Sequence, residues 1–465
     1  MTAPPLPGPA ALPLLGVYGK IIPFMRDPVG QMRHLQRTYG DITALARGRP
    51  RVVFVFAPEQ IRQVLTDVET FYTITAPAPV PKNSAFARVT SGLLAMNGAQ
   101  HAQQRRLMMP AFHKKRVDAY RDAMVTLTEQ QIAGWHPGET RDLLAEMKQL
   151  TIAIAVQTLL GLDPQRDGRD LDHDLAEWLR LFFAPLTMAV PLQLPGLPYR
   201  RLLTLAEKFE RQVLAMIQRK RAGGQDAGDV LSLLIQAHDA DGSRLTDADL
   251  VAQTTTLFVA GHITTASALT WTLFLLAQHP PVLAALLDEL DSTLQGAAPT
   301  VEQLSQLPLL DGVVHESLRL FPPLMWSLRE ARRPVTVGRY ALPKGSWVVF
   351  SAVTTHRRPD LYPQPYKFWP ERWQTIDPAP YEYLPFAGGP RRCIGASFAL
   401  LELRLVVALI VQRYRLALPA GARVDHVGPV FSFPKGGLPM IVQAQDRQFS
   451  KVRVRGTVRR MVDLR

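Results

Sequence analysis

The chain has 465 residues, of which 47% are hydrophobic, 20% charged and 8% aromatic, a globular balance that excludes intrinsic disorder. Its 53 basic residues, 42 of them Arg, exceed the 40 acidic ones and give a formal net charge of +13. Most of that bias reads as base composition; a basic docking face is the functional reading, and no pattern points to nucleic acid. The one cysteine, Cys393, excludes an internal disulfide and any zinc or iron–sulfur site built from Cys pairs.

Taken in order, residues 1–30 are Pro-rich and read as irregular. Prolines and Lys20 break this segment short of the ~20 apolar residues a membrane span needs. It also lacks a basic leader before a continuous apolar run. No later stretch reads as a span, so the expectation is a cytoplasmic chain with no membrane anchor. Arg47–Phe56 reads as a turn and a strand, and Pro58 suits the first turn of the helix that follows. Helical periodicity covers 113–133, 139–162, 200–222 and 245–277, with shorter helices at 281–294 and 308–321. From about 323 the texture turns to short β-rich pieces, and 356–393 is long, Pro-rich and irregular. A structureless segment of that length inside a compact chain is usually functional. It leads directly to Cys393, after which a helix at 394–415 and a β-like tail close the chain.

Around the cysteine the sequence is Phe386-Ala-Gly-Gly-Pro-Arg-Arg-Cys393-Ile-Gly395. Gly388 and Gly389 let the backbone adopt positive φ and approach a flat group closely. Cys393 falls just before a helix, where unsatisfied N–H groups and the positive dipole end favour a thiolate. With no second thiol available, haem iron is the natural metal, because it needs one axial protein ligand.

This segment resembles the haem-thiolate signature of the cytochrome P450 family, F-x-x-G-x-R-x-C-x-G, at Phe386, Gly389, Arg391, Cys393 and Gly395. The resemblance implies haem b with Cys393 as its metal ligand, and Arg391 facing a propionate. It extends along almost the whole chain. Glu316 and Arg319 form E-x-x-R on one helix face, and "FWPER" with Trp373 is similar to the family's F-x-P-E-R-F, so Arg372 is expected to complete a Glu–Arg–Arg scaffold. Glu330 and Arg333 repeat the spacing by accident. His101 and Arg105, one turn apart, look like the family's H-x-x-x-R propionate pair, and Arg329 matches a third propionate position. Ala260-Gly261-His262-Ile263-Thr264-Thr265 is similar to the oxygen-side motif, in which Gly261, Thr264 and Thr265 are catalytic. It departs from the family at Ile263, where an acid is usual.

The resemblance implies a mainly α cytochrome P450 fold, a large helical body with a small β-rich region, and one domain over 1–465 with a basic tail at 446–465. The activity implied is monooxygenation, one oxygen atom from O2 entering a small apolar organic substrate of lipid, terpenoid or polyketide type. Phe86, Phe258, Leu324, Met325, Trp326 and Phe431 are the implied lining. Electrons would come from a separate ferredoxin or flavodoxin, with His113-Lys114-Lys115-Arg116 as a basic docking cluster. Ile263 keeps open a non-inserting reaction: peroxide rearrangement, coupling or desaturation. A haem-binding sensor without turnover is the alternative from another class, and Thr264–Thr265 argue against it.

Overall fold

The computed structural model describes residues 4–11, 18–74, 80–164, 174, 177–182, 184, 186–187, 190–223, 228–238, 242–428 and 430–464. Its first part carries α1 (Tyr18–Arg26), α2 (Pro28–Tyr39), β1 (Ile42–Ala46), β2 (Arg49–Val55), α3 (Pro58–Thr66), β3 (Phe71–Tyr72), α4 (Ala85–Thr90) and α5 (Gly98–Met108). Then follow α6 (Lys114–Ala119), α7 (Arg121–Ala133), β4 (Thr140–Asp142), α8 (Leu143–Leu160), α9 (Pro198–Gly223), α10 (Val230–Gln236) and α11 (Asp247–Gln278). The last part holds α12 (Pro280–Leu294), α13 (Val301–Leu304), α14 (Pro308–Leu320), β5 (Ser327–Ala331), β6 (Val335–Val337), β7 (Tyr340–Leu342), β8 (Trp347–Phe350) and α15 (Ala352–Thr355). It ends with α16 (Ala396–Arg413), β9 (Tyr414–Ala417), β10 (His426–Val427), β11 (Phe433–Pro434) and β12 (Pro439–Ala444).

The chain divides into two compact units. The first comprises 1–72, 128–147 and 264–465, and the second 73–127 and 148–263. In the first, five strands form a sheet in the order β1-β2-β8-β5-β3, with β2 and β8 parallel and the other pairs antiparallel. The near-continuous apolar run of β2 follows from burial on both faces. Val53 and Val55 enter one core cluster with Val348 and Phe350, while Val52 and Phe54 enter another with Val349 and Phe24. The alternation is the period of two that a strand imposes. In the second unit α9 and α4 are tied by the Arg88–Glu210 ion pair, and Gln253 on α11 joins Gln104 to the Leu93 amide.

The irregular segment at 356–393 holds only two short 3₁₀ turns, Pro370–Gln374 and Gly389–Arg391. Three expectations need correcting. The N-terminal stretch is helical from Tyr18, and Asp27 starts α2 by accepting from the Gly30 amide at 2.9 Å with Pro28 in the first turn; residues 1–3 and 12–17 lie outside the described residues. The helix read over 113–133 is two, because Tyr120 sits at φ −80°, ψ −7° between α6 and α7. Finally, α8 and α11 are each long and apolar enough to cross a membrane, although no stretch read that way; 67% and 78% of their apolar windows are buried inside the protein, which marks them as core helices. In the basic tail, Val454, Val458, Met461 and Val462 are buried, so that stretch is anchored by its apolar residues; Arg465 lies outside the described residues.

Candidate active site

The cysteine loop is shaped by two left-handed residues, Ala387 at φ +55° and Gly389 at φ +67°. Three backbone bonds close it: Ala387 N to Leu384 O at 3.1 Å, Arg392 N to Gly389 O at 3.0 Å, and Cys393 N to Phe386 O at 2.9 Å. Gly389 has a second reason to be glycine, since a Cβ there would lie 2.7 Å from the Leu65 carbonyl oxygen. The loop feeds α16, whose N-cap is Gly395, and Cys393 stands exposed two residues ahead of it. An exposed thiol beside the positive end of an 18-residue helix is held in the electrostatics that favour thiolate.

Arg329 on β5 is buried, at 6% exposure. Its Nη1 donates to the Leu328 carbonyl at 2.8 Å and to Ser327 Oγ at 3.3 Å, and its guanidinium lies 5.4 Å from the Phe350 ring centroid. Among the described residues no carboxylate pairs with it. Burial, and then the neighbouring Arg391 guanidinium, push its pKa down to about 10. Two cations brought together, one of them buried without a counter-ion, are costly for a protein alone. They fit an anionic group that arrives from outside.

Glu316, Arg319 and Arg372 form the opposite kind of cluster. All three are buried, at 0%, 0% and 2% exposure. Arg319 grips Glu316 through two bonds of 2.8 Å, and Arg372 Nε donates to Glu316 Oε1 at 3.0 Å. The same carboxylate accepts from the Trp369 amide and from Trp373 Nε1, each at 3.0 Å. The remaining guanidinium donors bind the carbonyls of His356, Pro363, Gln364, Pro365 and Lys367 at 2.8–3.4 Å. The cluster therefore fastens the irregular segment to α14. The accidental repeat does nothing comparable: Arg332, not Arg333, pairs with Glu330, and Arg333 Nε donates to Thr70 Oγ1.

Sequence reasoning missed His356. This buried imidazole has Nδ1 3.1 Å from the Arg319 carbonyl oxygen, and its Nε2 accepts from the Leu384 amide at 2.7 Å. Both contacts demand the neutral ring with the proton on Nδ1. Burial, reinforced by Arg319, lowers its pKa to about 3. It links the Glu–Arg–Arg cluster to the residue two places ahead of Phe386. No short motif marks it, because both partners are backbone groups 28 and 37 residues away.

On α11, Thr264 is half-buried between buried Ile263 and Thr265. These threonines belong to the first unit, with Cys393, Arg391, Arg329, Leu324 and Phe431; Gly261, His101, Arg105, Phe86 and Phe258 belong to the second. Within the second unit, a Cβ on Gly261 would meet Leu159 Cδ1 at 3.1 Å. His262 is buried, its Nδ1 donates to the Phe258 carbonyl at 2.7 Å, and burial lowers its pKa to about 4. His101, on α5, is buried and Arg105 half-buried. Phe86 packs with Trp178 and Phe182, and Phe258 against His262. Within the first unit, Leu324 and Phe431 come together as an antiparallel bridge. Met325 is fully buried, Trp326 is half-buried and packs edge-on to Phe24, and Leu324 is exposed.

The cytochrome P450 family model matches residues 5–438. The chain belongs to the cytochrome P450 family. Among its relatives is cyclooctat-9-en-7-ol 5-monooxygenase of Streptomyces melanosporofaciens, 33% identical over 448 residues, covering 94% of each chain. Pentalenene oxygenase of Streptomyces avermitilis is 30% identical over 427 residues, covering 90% of this chain and 93% of that one. Among solved structures, the retinoic acid bound cyanobacterial CYP120A1 superposes with a TM-score of 0.81 at 25% identity, over 95% of this chain and all of that one. The cytochrome P450DA heme domain gives a TM-score of 0.83 at 24% identity, over 96% and 99% of the two chains.

The P450 fold read from the sequence is thus the observed fold, mainly α with small sheets. This P450 is a haem b enzyme, a monooxygenase that inserts one oxygen atom from O2 into an apolar organic substrate and draws electrons from a redox partner. The residues fit the cofactor: one exposed thiol that could ligate its iron, and the Arg329 and Arg391 cations that could hold a carboxylate.

Proposed function

We propose that this P450 hydroxylates a cyclic terpenoid, with Cys393 as the thiolate that would ligate the haem iron, Arg329, Arg391, His101 and Arg105 as residues that would hold the haem carboxylates, and Glu316, Arg319 and Arg372 as scaffold. The observation that carries the site assignment is the buried Arg329, near Arg391, to which no carboxylate pairs among the described residues. The substrate class rests on the two relatives that act on cyclic alkenes and alkenols by name, and on the apolar character of Leu324, Phe431, Phe86 and Phe258. Haem held by the Cys393 thiolate would supply the activation of O2. The chain's part is to hold that group, exclude water from an apolar site and deliver protons. Thr264 Oγ holds and passes a proton on the oxygen side. Ile263, buried and without a proton to give, leaves ordered water as the source that recharges it. The whole of 1–465 acts as one catalytic domain in the cytoplasm. Its donor is a separate acidic ferredoxin or flavodoxin docked at His113, Lys114 and Lys115, which are exposed on and next to α6.

The test uses purified holoenzyme, a surrogate ferredoxin and reductase, and a panel of cyclic terpenes, terpene alcohols and fatty acids. The expected result is a product one oxygen heavier from a cyclic terpenoid, formed only with the electron donor. Oxidation of fatty acids alone would overturn the substrate class, and product formed without the donor would overturn the hydroxylation. Thr264→Ala should keep ligand binding yet divert reducing equivalents to hydrogen peroxide. Ile263→Glu should raise the ratio of product to reduced nicotinamide consumed, since general acid help is worth about 100-fold or more. A fully coupled Thr264→Ala enzyme would remove the threonine from proton delivery.

A further inference from the structure

The residue after Phe431 is held more tightly than its surroundings require. Thr264, Ser267 and Trp271 stand at i, i+3 and i+7 on α11, so they share one helix face. Ser267 Oγ donates to the Ser432 carbonyl oxygen, and Trp271 Nε1 donates to the same oxygen at 3.1 Å. Both lone pairs of that carbonyl are thereby used. Ser267, Trp271 and Ser432 are buried at 1%, 0% and 0% exposure, and Trp271 is stacked on Phe321 at 4.3 Å between centroids. The other groups of Ser432 are engaged as well. Its amide donates to the Pro323 carbonyl at 3.0 Å, and its Oγ lies 3.0 Å from His426 Nε2.

The other side of Phe431 is fixed by backbone. The Met325 amide donates to the Val430 carbonyl at 2.9 Å, which forms the Leu324–Phe431 bridge. Gly428, at φ +132°, lets the turn close: a Cβ there would fall 1.7 Å from the Phe431 carbonyl oxygen. His426 is in turn braced by the C-terminal tail, its amide donating to Thr457 Oγ1 at 2.8 Å. Phe431 itself stays half-buried, an apolar ring on a frame locked to the helix face that carries Thr264.

We propose that Ser267 and Trp271 are positioning residues that fix Phe431 relative to Thr264 and thereby shape the substrate site. This rests on the reading of Phe431 as a substrate-lining residue, and the test separates the two. Holoenzyme is titrated with imidazole, which senses the haem position alone, and with 4-phenylimidazole, whose ring also senses the lining. Wild type is compared with Phe431→Ala, Ser267→Ala, Ser267→Thr and the double variant Ser267→Ala/Trp271→Phe, the last keeping a ring against Phe321. Phe431→Ala, Ser267→Ala and the double variant should change the ratio of the two dissociation constants by about threefold or more, the scale of one hydrogen bond. Ser267→Thr, which keeps the hydroxyl, should restore the wild-type ratio. If Phe431→Ala changes the ratio and Ser267→Ala and the double variant do not, the positioning role is wrong and the lining role stands. If Phe431→Ala changes nothing, the lining reading falls and takes this inference with it. Equal loss of affinity for both ligands in the Ser267 variants would mark a plain stability role and overturn the proposal.

Discussion

Two arginine clusters in the same unit differ in how their charge is answered. Arg319 and Arg372 are as buried as Arg329, yet every face of them is met: one carboxylate, five backbone carbonyls and two indole-bearing residues close the cluster. Arg329 has a serine hydroxyl, one carbonyl, a phenyl ring and another cation. A satisfied buried network holds its conformation unaided, whereas a buried cation with no carboxylate beside it carries a desolvation cost that an anionic ligand would relieve. The contrast supports the proposed division into scaffold and cofactor contacts without reference to any motif.

The comparison can be broken most forcefully at Glu316. Glu316→Ala leaves two buried guanidiniums without their carboxylate, so it should destabilise the apoprotein and the holoprotein alike by about 3–5 kcal/mol. Denaturant unfolding of both forms checks this; a loss confined to the holoprotein would move Glu316 to the cofactor side. Arg329→Ala should do the reverse. It should weaken haem retention by about 1.5–3 kcal/mol, the worth of a charge-assisted hydrogen bond, while the apoprotein holds its stability or gains. Haem transfer to an acceptor apoprotein reads the first quantity and denaturant unfolding the second. Arg391→Ala and Arg105→Ala should slow or weaken retention in the same sense.

A pH series sharpens the scaffold half. His356 and His262 are held neutral, with pKa lowered to about 3 and about 4 by burial. The unfolded chain then binds more protons than the native one between those values and the ordinary histidine value of about 6.5. Stability must therefore rise with pH across that window and is fully present above it. Moving from pH 7.5 to 5.5 should cost about 1.4 kcal/mol per histidine, and His356→Asn should flatten the slope by one such step. An unchanged slope would mean that His356 is not neutral in the native state. The smallest effect belongs to Arg333→Ala, from the accidental E-x-x-R. It should leave haem retention at wild type and stability within about 0.5 kcal/mol.

How much of this was legible in the sequence follows from the range of the contacts. The cysteine loop and the Glu316–Arg319 pair are short-range patterns, and their spacing alone placed them on a loop and on one helix face. Helices such as α11 and α14 announced themselves by periodicity. By contrast, α1 and α2 were masked by proline content, although Asp27 followed by Pro28 is an N-cap signal that could have found the second. His356 and Trp271 were silent for a different reason. Their partners are backbone groups 28 to 161 residues away, and a backbone carbonyl leaves no mark on residue identity. The counter-ion deficit at Arg329 was likewise invisible, since only packing shows which carboxylates stay away.

The most direct test of the central claim is the absorption spectrum of the reduced carbon monoxide complex in Cys393→Ser. Cys393 is the only thiol in the chain, so the red-shifted band specific to thiolate ligation should vanish in that variant, while haem held by the arginine cluster is retained in part. A thiolate band of unchanged position and intensity would contradict the assignment of Cys393 and, with it, the site built around its loop.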